Sequence, residues 1–185
     1  KLKHCCNSAA TLDKPEYHLD MVRPGIILYG LCPSKDINIG GFKPVMSLKC
    51  VISSVKKLYK GEFVSYGATF KAKKDMTIAS LPIGYADGYL RAFAKKGQVL
   101  FNGKKAKIIG RICMDQCLID VSDVDIKPDD VVTLFYYEHD LLLPVDDLAK
   151  MANTINYEIV CLITKRVSKV YTKGGKTLDV LGLLH

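Results

Sequence analysis

Asn102-Gly103 stands between two short runs rich in apolar and β-branched residues, 98–101 and 104–113. An Asn-Gly pair readily supplies two successive left-handed residues, so it is a strong two-residue signal for a β-hairpin. Around it the same grammar repeats. Residues 45–59, 76–83, 116–121 and 131–136 read as strands, with turn residues between them, Lys127-Pro128-Asp129-Asp130 among those turns. Residues 167–171 and 177–180, joined through Gly174-Gly175, predict a closing hairpin. Short strands with frequent turns predict a mainly β barrel or sandwich. Within it, residues 145–156 read as a helix entered at Pro144, and residues 157–163 as a second short helical turn.

The first 43 residues differ. Asn7 to Leu12 predicts a helix. Met21-Val22-Arg23-Pro24-Gly25-Ile26-Ile27 reads as a buried segment, and Pro24 argues against a central strand running through it. A short strand ending near Val22 and a helix opening at Pro24 fit better. Residues 33–44 carry Ser, Asn, Asp, Lys and Gly40-Gly41, the composition of a linker. The chain therefore divides into residues 1–43 and residues 44–185.

Totals exclude several classes. With 185 residues and 49% hydrophobic content the chain can bury a core. No apolar run approaches the roughly 18 residues of a membrane span. The net charge of +8 comes from 27 basic residues, of which four are Arg and 23 Lys. Nucleic-acid readers rely on Arg for bidentate contacts, and these lysines are scattered. A solvated Lys-rich surface is the simpler reading, with an anionic small molecule the alternative. Seven cysteines, no CxxC pair and no His at ligand spacing argue against zinc and for reduced thiols. The chain lacks an initiator Met and is expected to begin within a longer protein.

Some residues suit chemistry as well as structure. Ser8 suits a helix N-cap, and a hydroxyl at a helix N-terminus also suits an anion. Arg23 lies in an apolar run before Pro24-Gly25, where a buried guanidinium needs a partner; a ligand or an ion pair would serve. In Val64-Ser65-Tyr66-Gly67-Ala68-Thr69-Phe70, Gly67 lets the backbone turn beside a tyrosine whose phenol can then project into a cleft. Gly84-Tyr85-Ala86-Asp87-Gly88 reads as an aromatic rim or an ordinary turn. Met114-Asp115 sits at a corner between strands, where a bulge would expose backbone N–H groups. Tyr157 alone reads as a packing residue.

Together the segments Asn7-Ser8-Ala9, Asp20-Met21-Val22-Arg23-Pro24-Gly25, Val64-Ser65-Tyr66-Gly67, Gly84-Tyr85-Ala86-Asp87-Gly88 and Arg111-Ile112-Cys113-Met114-Asp115 resemble bacterial alanine racemases, in the same order. Tyr157-Glu158 and Arg166-Val167 are similar to that family's C-terminal pattern. The resemblance implies a C-terminal, barrel-like β domain in residues 44–185. Residues 1–43 would then be the last part of a (β/α)8 barrel that binds pyridoxal phosphate. It implies a cytoplasmic homodimer that interconverts L- and D-alanine for peptidoglycan, with no metal, nucleic acid or membrane partner.

Carried over by position, Ser8, Gly25, Ile26 and Tyr157 resemble the phosphate ligands, and Arg23 the residue facing the pyridine nitrogen. Tyr66 resembles the catalytic tyrosine. The Met114 N–H resembles the donor to the substrate carboxylate, and Tyr85 the tyrosine lining the substrate channel. Tyr66 and Met114 would serve the partner's cofactor. Racemisation needs acid/base groups on both faces of the reacting carbon; the family pairs a tyrosine with a Schiff-base lysine. That lysine's motif is absent from this sequence, which implies an inactive isolated fragment. Cys6 stands where the family usually has Ala. A serine racemase of the glycopeptide-resistance type is the alternative, although such enzymes tend to have Asn where Tyr157 stands. A non-catalytic, anion-binding β module is another.

Overall fold

The computed structural model describes residues 1–37, 40–94, 96–138 and 141–182. The chain forms two compact units, Lys1–Met46 and Ser47–His185.

In the first unit, helix α1 spans Ser8–Asp13. Its cap is Asn7, whose side chain accepts the Ala10 N–H at 3.0 Å. The expected cap, Ser8, is instead the first helical residue, and its hydroxyl is released for other work. The expected helix opening at Pro24 is a short 3-10 turn, Ile26–Tyr29, and residues 21–25 form no strand. Ile26 and Ile27 are buried as expected, but Arg23 is exposed. Gly30 closes that turn at φ +68°, where an added Cβ would lie 2.0 Å from the Lys43 carbonyl oxygen. Only glycine lets the chain pass so close.

The second unit is built on one antiparallel sheet. Its strands are β1 (Leu48–Val51), β2 (Ser54–Leu58), β5 (Met76–Leu81), β6 (Gln98–Phe101), β7 (Lys104–Ile109), β8 (Cys117–Asp120), β9 (Val131–Glu138) and β10 (Leu141–Leu143). The order is β1-β9-β6-β7-β8-β5-β2, with β10 beside β9. β1 and β2 lie at opposite ends of that path, yet only Ile52 and Ser53 separate them in sequence. The sheet must therefore curl until its two ends meet, as in a partly closed barrel. The backbone joins them there: Ile52 N–H donates to Asp130 O at 2.8 Å and Ser53 N–H to Ser80 O at 2.9 Å.

Period-two burial is plain in β1, whereas β6 is buried at Val99, Leu100 and Phe101 in succession. Leu48 and Cys50 point inward while Lys49 and Val51 face out. Ile78, Leu81, Val99, Leu100, Ile119, Val132 and Leu134 are almost wholly buried, each worth about 1.5–3 kcal/mol of transfer free energy. Asn102 (φ +46°) and Gly103 (φ +72°) make the expected hairpin turn between Phe101 and Lys104. β11 (Lys169–Lys173) and β12 (Lys176–Leu181) form the expected closing hairpin as a separate two-stranded sheet.

The expected helix at 145–156 breaks in two. Helix α2 (Val145–Ala152) stops at Asn153, which is left-handed and returns its N–H to the Ala149 and Lys150 carbonyls. Asn tolerates that conformation better than most residues. Helix α3 (Asn156–Cys161) follows, and Asn156 Nδ2 donates to Asp146 of α2 at 3.0 Å.

One hairpin escaped the sequence. β3 (Phe63–Val64) pairs with β4 (Phe70–Lys71). Val64 and Phe70 pack on a buried cluster of Leu58, Ala72, Met76, Ile78 and Ile109. That anchor carries the loop 65–69, with Tyr66 in it.

Candidate active site

Tyr66 is held on a strained, pinned turn. Ala68 N–H closes on the Ser65 carbonyl at 2.9 Å, placing Tyr66 and Gly67 at the turn's centre. Gly67 has φ +72°, the value that a type II turn requires of its third residue. Ser65 (φ +73°) and Ala68 (φ +52°) are also left-handed, which costs roughly 1–2 kcal/mol for each non-glycine residue. The surroundings sustain that cost. Ser65 Oγ accepts the Arg111 N–H at 2.7 Å, and Val64 and Phe70 sit in the cluster below. The Tyr66 side chain projects outward and is 76% exposed. A large exposed aromatic on a strained, well-anchored turn is a candidate for a functional role.

Arg111 joins the same surface: an added Cβ on Gly67 would lie 3.5 Å from Arg111 Nη1. Beyond Arg111 the chain reaches the corner anticipated at Met114-Asp115. Cys113 N–H donates to the Gln116 carbonyl at 2.9 Å, leaving Met114 and Asp115 exposed at the tip. The Met114 N–H has no acceptor among the described residues.

Tyr85 belongs to a 3-10 turn, Tyr85–Asp87, seated on this corner. Tyr85 N–H donates to the Cys113 carbonyl at 3.0 Å, and Ala86 N–H to the Met114 carbonyl at 2.8 Å. The approach is so close that an added Cβ on Gly84 would sit 2.2 Å from Cys113 O. Tyr85 itself is 42% exposed. Tyr66, Arg111, Met114 and Tyr85 are thus linked into one assembly through backbone hydrogen bonds and the Ser65 hydroxyl. Tyr157, half-buried in the first turn of α3, lies in the same unit, and its phenol has no hydrogen-bond partner among the described residues.

In the first unit the structure joins Ser8 to Gly25. Ser8 is buried, and its Oγ accepts the Gly25 N–H at 2.8 Å. Its hydroxyl proton has no acceptor among the described residues, and neither has the Ile26 N–H that opens the 3-10 turn. Arg23 N–H donates to Cys6 O at 2.9 Å. Its guanidinium contacts His4 Nδ1 and, at 3.4 Å, the Cys5 carbonyl. The expected buried arginine is therefore an exposed one, steered by two residues near the N-terminus.

Three participants carry no assigned role in the sequence reading. Ser65 lies inside a segment that the family resemblance rests on, but its close fit with Gly110, where an added Cβ would lie 2.3 Å from the Ser65 Cβ, exists only where two distant segments touch. Asp87, buried within the second glycine loop, pairs with Arg166 at 3.0 Å. Its place between Gly84 and Gly88 was the available hint, since a carboxylate three residues after Gly84 can accept that glycine's N–H.

Known proteins show the same organisation. The profile of the alanine racemase C-terminal domain matches residues 45–171, and that of the alanine racemase N-terminal domain matches residues 1–33. Alanine racemase 1 of Clostridium acetobutylicum is 45% identical over 182 residues, covering 97% of this chain and 47% of that protein. The alanine racemase of Desulforamulus reducens is 49% identical over 173 residues, covering 92% and 46%. Among solved structures, alanine racemase of Clostridium difficile 630 in complex with cycloserine superposes with a TM-score of 0.92. It is 40% identical and covers 99% of this chain and 48% of that one. The Bacillus anthracis alanine racemase with bound L-Ala-P gives 0.93 at 36% identity, covering 100% and 48%. The chain spans about half the length of the curated relatives it matches. By its sequence, by its fold and by the order of these segments, the chain belongs to the alanine racemase family.

Proposed function

We propose that this chain is the C-terminal part of a pyridoxal-phosphate-dependent alanine racemase, with Tyr66 as one of two acid/base groups. Residues 1–43 would end the cofactor-binding barrel and residues 44–185 would form the β domain. The observation that carries the reading is the Tyr66 turn: an exposed phenol between left-handed Ser65 and Gly67, fixed through Ser65 to Arg111 at 2.7 Å.

The first unit's donors fit the cofactor's phosphate. The Ser8 hydroxyl proton and the Ile26 N–H have no acceptor among the described residues. A phosphate monoester accepts such bonds strongly. Gly25 N–H would be the third donor, turning to the phosphate from Ser8; the Tyr157 phenol, in the second unit, is a phosphate ligand by resemblance alone. Arg23 would face the pyridine nitrogen, held by His4 and the Cys5 carbonyl; a guanidinium keeps its protons, so it would donate there without protonating the ring. When bound, pyridoxal phosphate would supply an electron-withdrawing ring that acidifies the amino acid's α-hydrogen.

The second unit's residues then handle the substrate. The Met114 N–H would hold the alanine carboxylate. Tyr85 would line the approach, and Tyr66 Oη would exchange the α-proton on one face. The exposure of Tyr66 and Met114 in a single chain supports their serving a partner subunit's cofactor in a homodimer. A cytoplasmic role in supplying D-alanine for peptidoglycan follows from the same reading. The test is conversion of L-alanine to D-alanine by the full-length protein with pyridoxal phosphate, beside L-serine as competitor. Faster turnover of alanine supports the reading; no racemisation of either contradicts it.

A further inference from the structure

The Met114 N–H shares a planar, trans peptide with the Cys113 carbonyl, so the two groups point in opposite directions. Whatever fixes the carbonyl therefore aims the N–H. Tyr85 N–H fixes it, at 3.0 Å. The next carbonyl, of Met114, is fixed by Ala86 N–H at 2.8 Å. The 3-10 turn Tyr85–Asp87 is thus a jig for the Met114 peptide.

That jig is itself clamped. Asp87 is only 6% exposed. Its Oδ2 accepts the Gly84 N–H at 2.9 Å, and its Oδ1 pairs with Arg166 Nε at 3.0 Å. A buried carboxylate needs such partners. The segment carrying Arg166 grips the turn at two more points. Thr164 Oγ1 donates to the Ala86 carbonyl at 3.0 Å, and Thr164 N–H to the Asp87 carbonyl at 3.2 Å. Gly88 lets the segment come close, since an added Cβ there would lie 2.3 Å from Leu162 O.

We infer that Asp87 and Arg166 are positioning residues for the substrate carboxylate, acting through the Tyr85–Asp87 turn on the direction of the Met114 N–H. The inference rests on the reading that Met114 N–H receives that carboxylate. Neither side chain need touch substrate, and neither exchanges a proton. A bond to a charged group that is misdirected loses roughly tenfold or more in affinity.

The test uses the full-length enzyme and propionate, which has the carboxylate of alanine and no amine. Asp87→Asn keeps the shape of the side chain but weakens its pairing with Arg166. The double variant Asp87→Asn, Arg166→Met removes the pair without stranding a buried charge. Cofactor absorbance and a thermal melt report loading and folding. In both variants, loaded and folded, the propionate inhibition constant and the alanine KM are expected to rise together about tenfold, with kcat falling less. Arg166→Lys is expected to lose less than Arg166→Met.

An unchanged propionate constant in either loaded variant overturns the inference. So does failure of both to fold and load cofactor, which would make the pair a requirement of folding alone. Wild-type enzyme that racemises alanine but ignores propionate would instead overturn the carboxylate role of Met114, a separate failure.

Discussion

Ser65 and Gly110 share a space that admits only one β-carbon: an added Cβ on Gly110 would lie 2.3 Å from the Ser65 Cβ and 2.5 Å from its Oγ. Gly110 is also left-handed, at φ +66°. Its missing side chain allows Ser65 to reach the next residue's N–H and lock the Tyr66 turn. Gly110→Ala is therefore expected to destabilise the domain by about 1–3 kcal/mol and to displace Tyr66, with a large loss of racemase activity. Ser65→Ala removes only the hydrogen bond and is expected to cost about 1 kcal/mol. Urea unfolding of the full-length variants checks the order; a Gly110→Ala variant as stable as wild type would refute the shared-space argument.

Asn7 and Ser8 are neighbours with separate work. Asn7 caps α1, so Asn7→Ala is expected to cost about 1 kcal/mol of stability. Ser8 Oγ accepts the Gly25 N–H and would turn its hydroxyl proton to the phosphate, so Ser8→Ala is expected to weaken pyridoxal phosphate binding roughly tenfold. Cofactor titration and thermal melts on the two full-length variants separate the effects. Equal cofactor affinity in wild type and Ser8→Ala would remove Ser8 from the phosphate site.

Burial pushes the Cys50 thiol up to about 11 and the Cys117 thiol up to about 12. Burial also holds the Tyr89 phenol well above its usual range. In an unfolded chain a cysteine titrates near 8.5. Above about that pH the unfolded state sheds protons that the folded state keeps, so stability falls as pH rises. The melting temperature is expected to drop between about pH 9 and pH 11, and to drop less steeply in Cys117→Ala, whatever that variant's starting value. Exposed Cys5 is expected to react with a thiol reagent at about pH 8 while Cys117 stays protected until unfolding. Equal rates would contradict the burial.

The sequence made local features legible and left contacts between distant segments dark. Asn102-Gly103 named its own hairpin because the turn chemistry lies in those two residues. β6 matched its expected bounds for the same reason. β3 and β4 have two paired residues each, too few for a period to show. Asn7 and Ser8 are both good caps, and the side-chain hydrogen bond that chose Asn7 is not visible in composition. Arg23 read as buried because its neighbours are apolar, yet Ile26 and Ile27 carry the burial while Arg23 turns out to His4. Tyr66, Tyr85 and Met114 stood out through adjacent glycines or an exposed corner. The roles of their anchors did not: Ser65, Asp87 and Arg166 lie in segments that carry the family resemblance, yet they and Gly110 acquire a role only in pairs.

The central claim is that Tyr66 handles the α-proton on one face only. Tyr66→Phe keeps the ring and removes the hydroxyl. In the full-length, cofactor-loaded enzyme, racemisation is expected to fall by roughly 10²–10⁴-fold. The most direct measurement is exchange of the α-hydrogen in heavy water, followed separately for L- and D-alanine. With Tyr66→Phe, exchange is expected to persist for one enantiomer, through the second acid/base group, and to collapse for the other. Exchange that stays equal for both enantiomers at the wild-type rate would contradict the account.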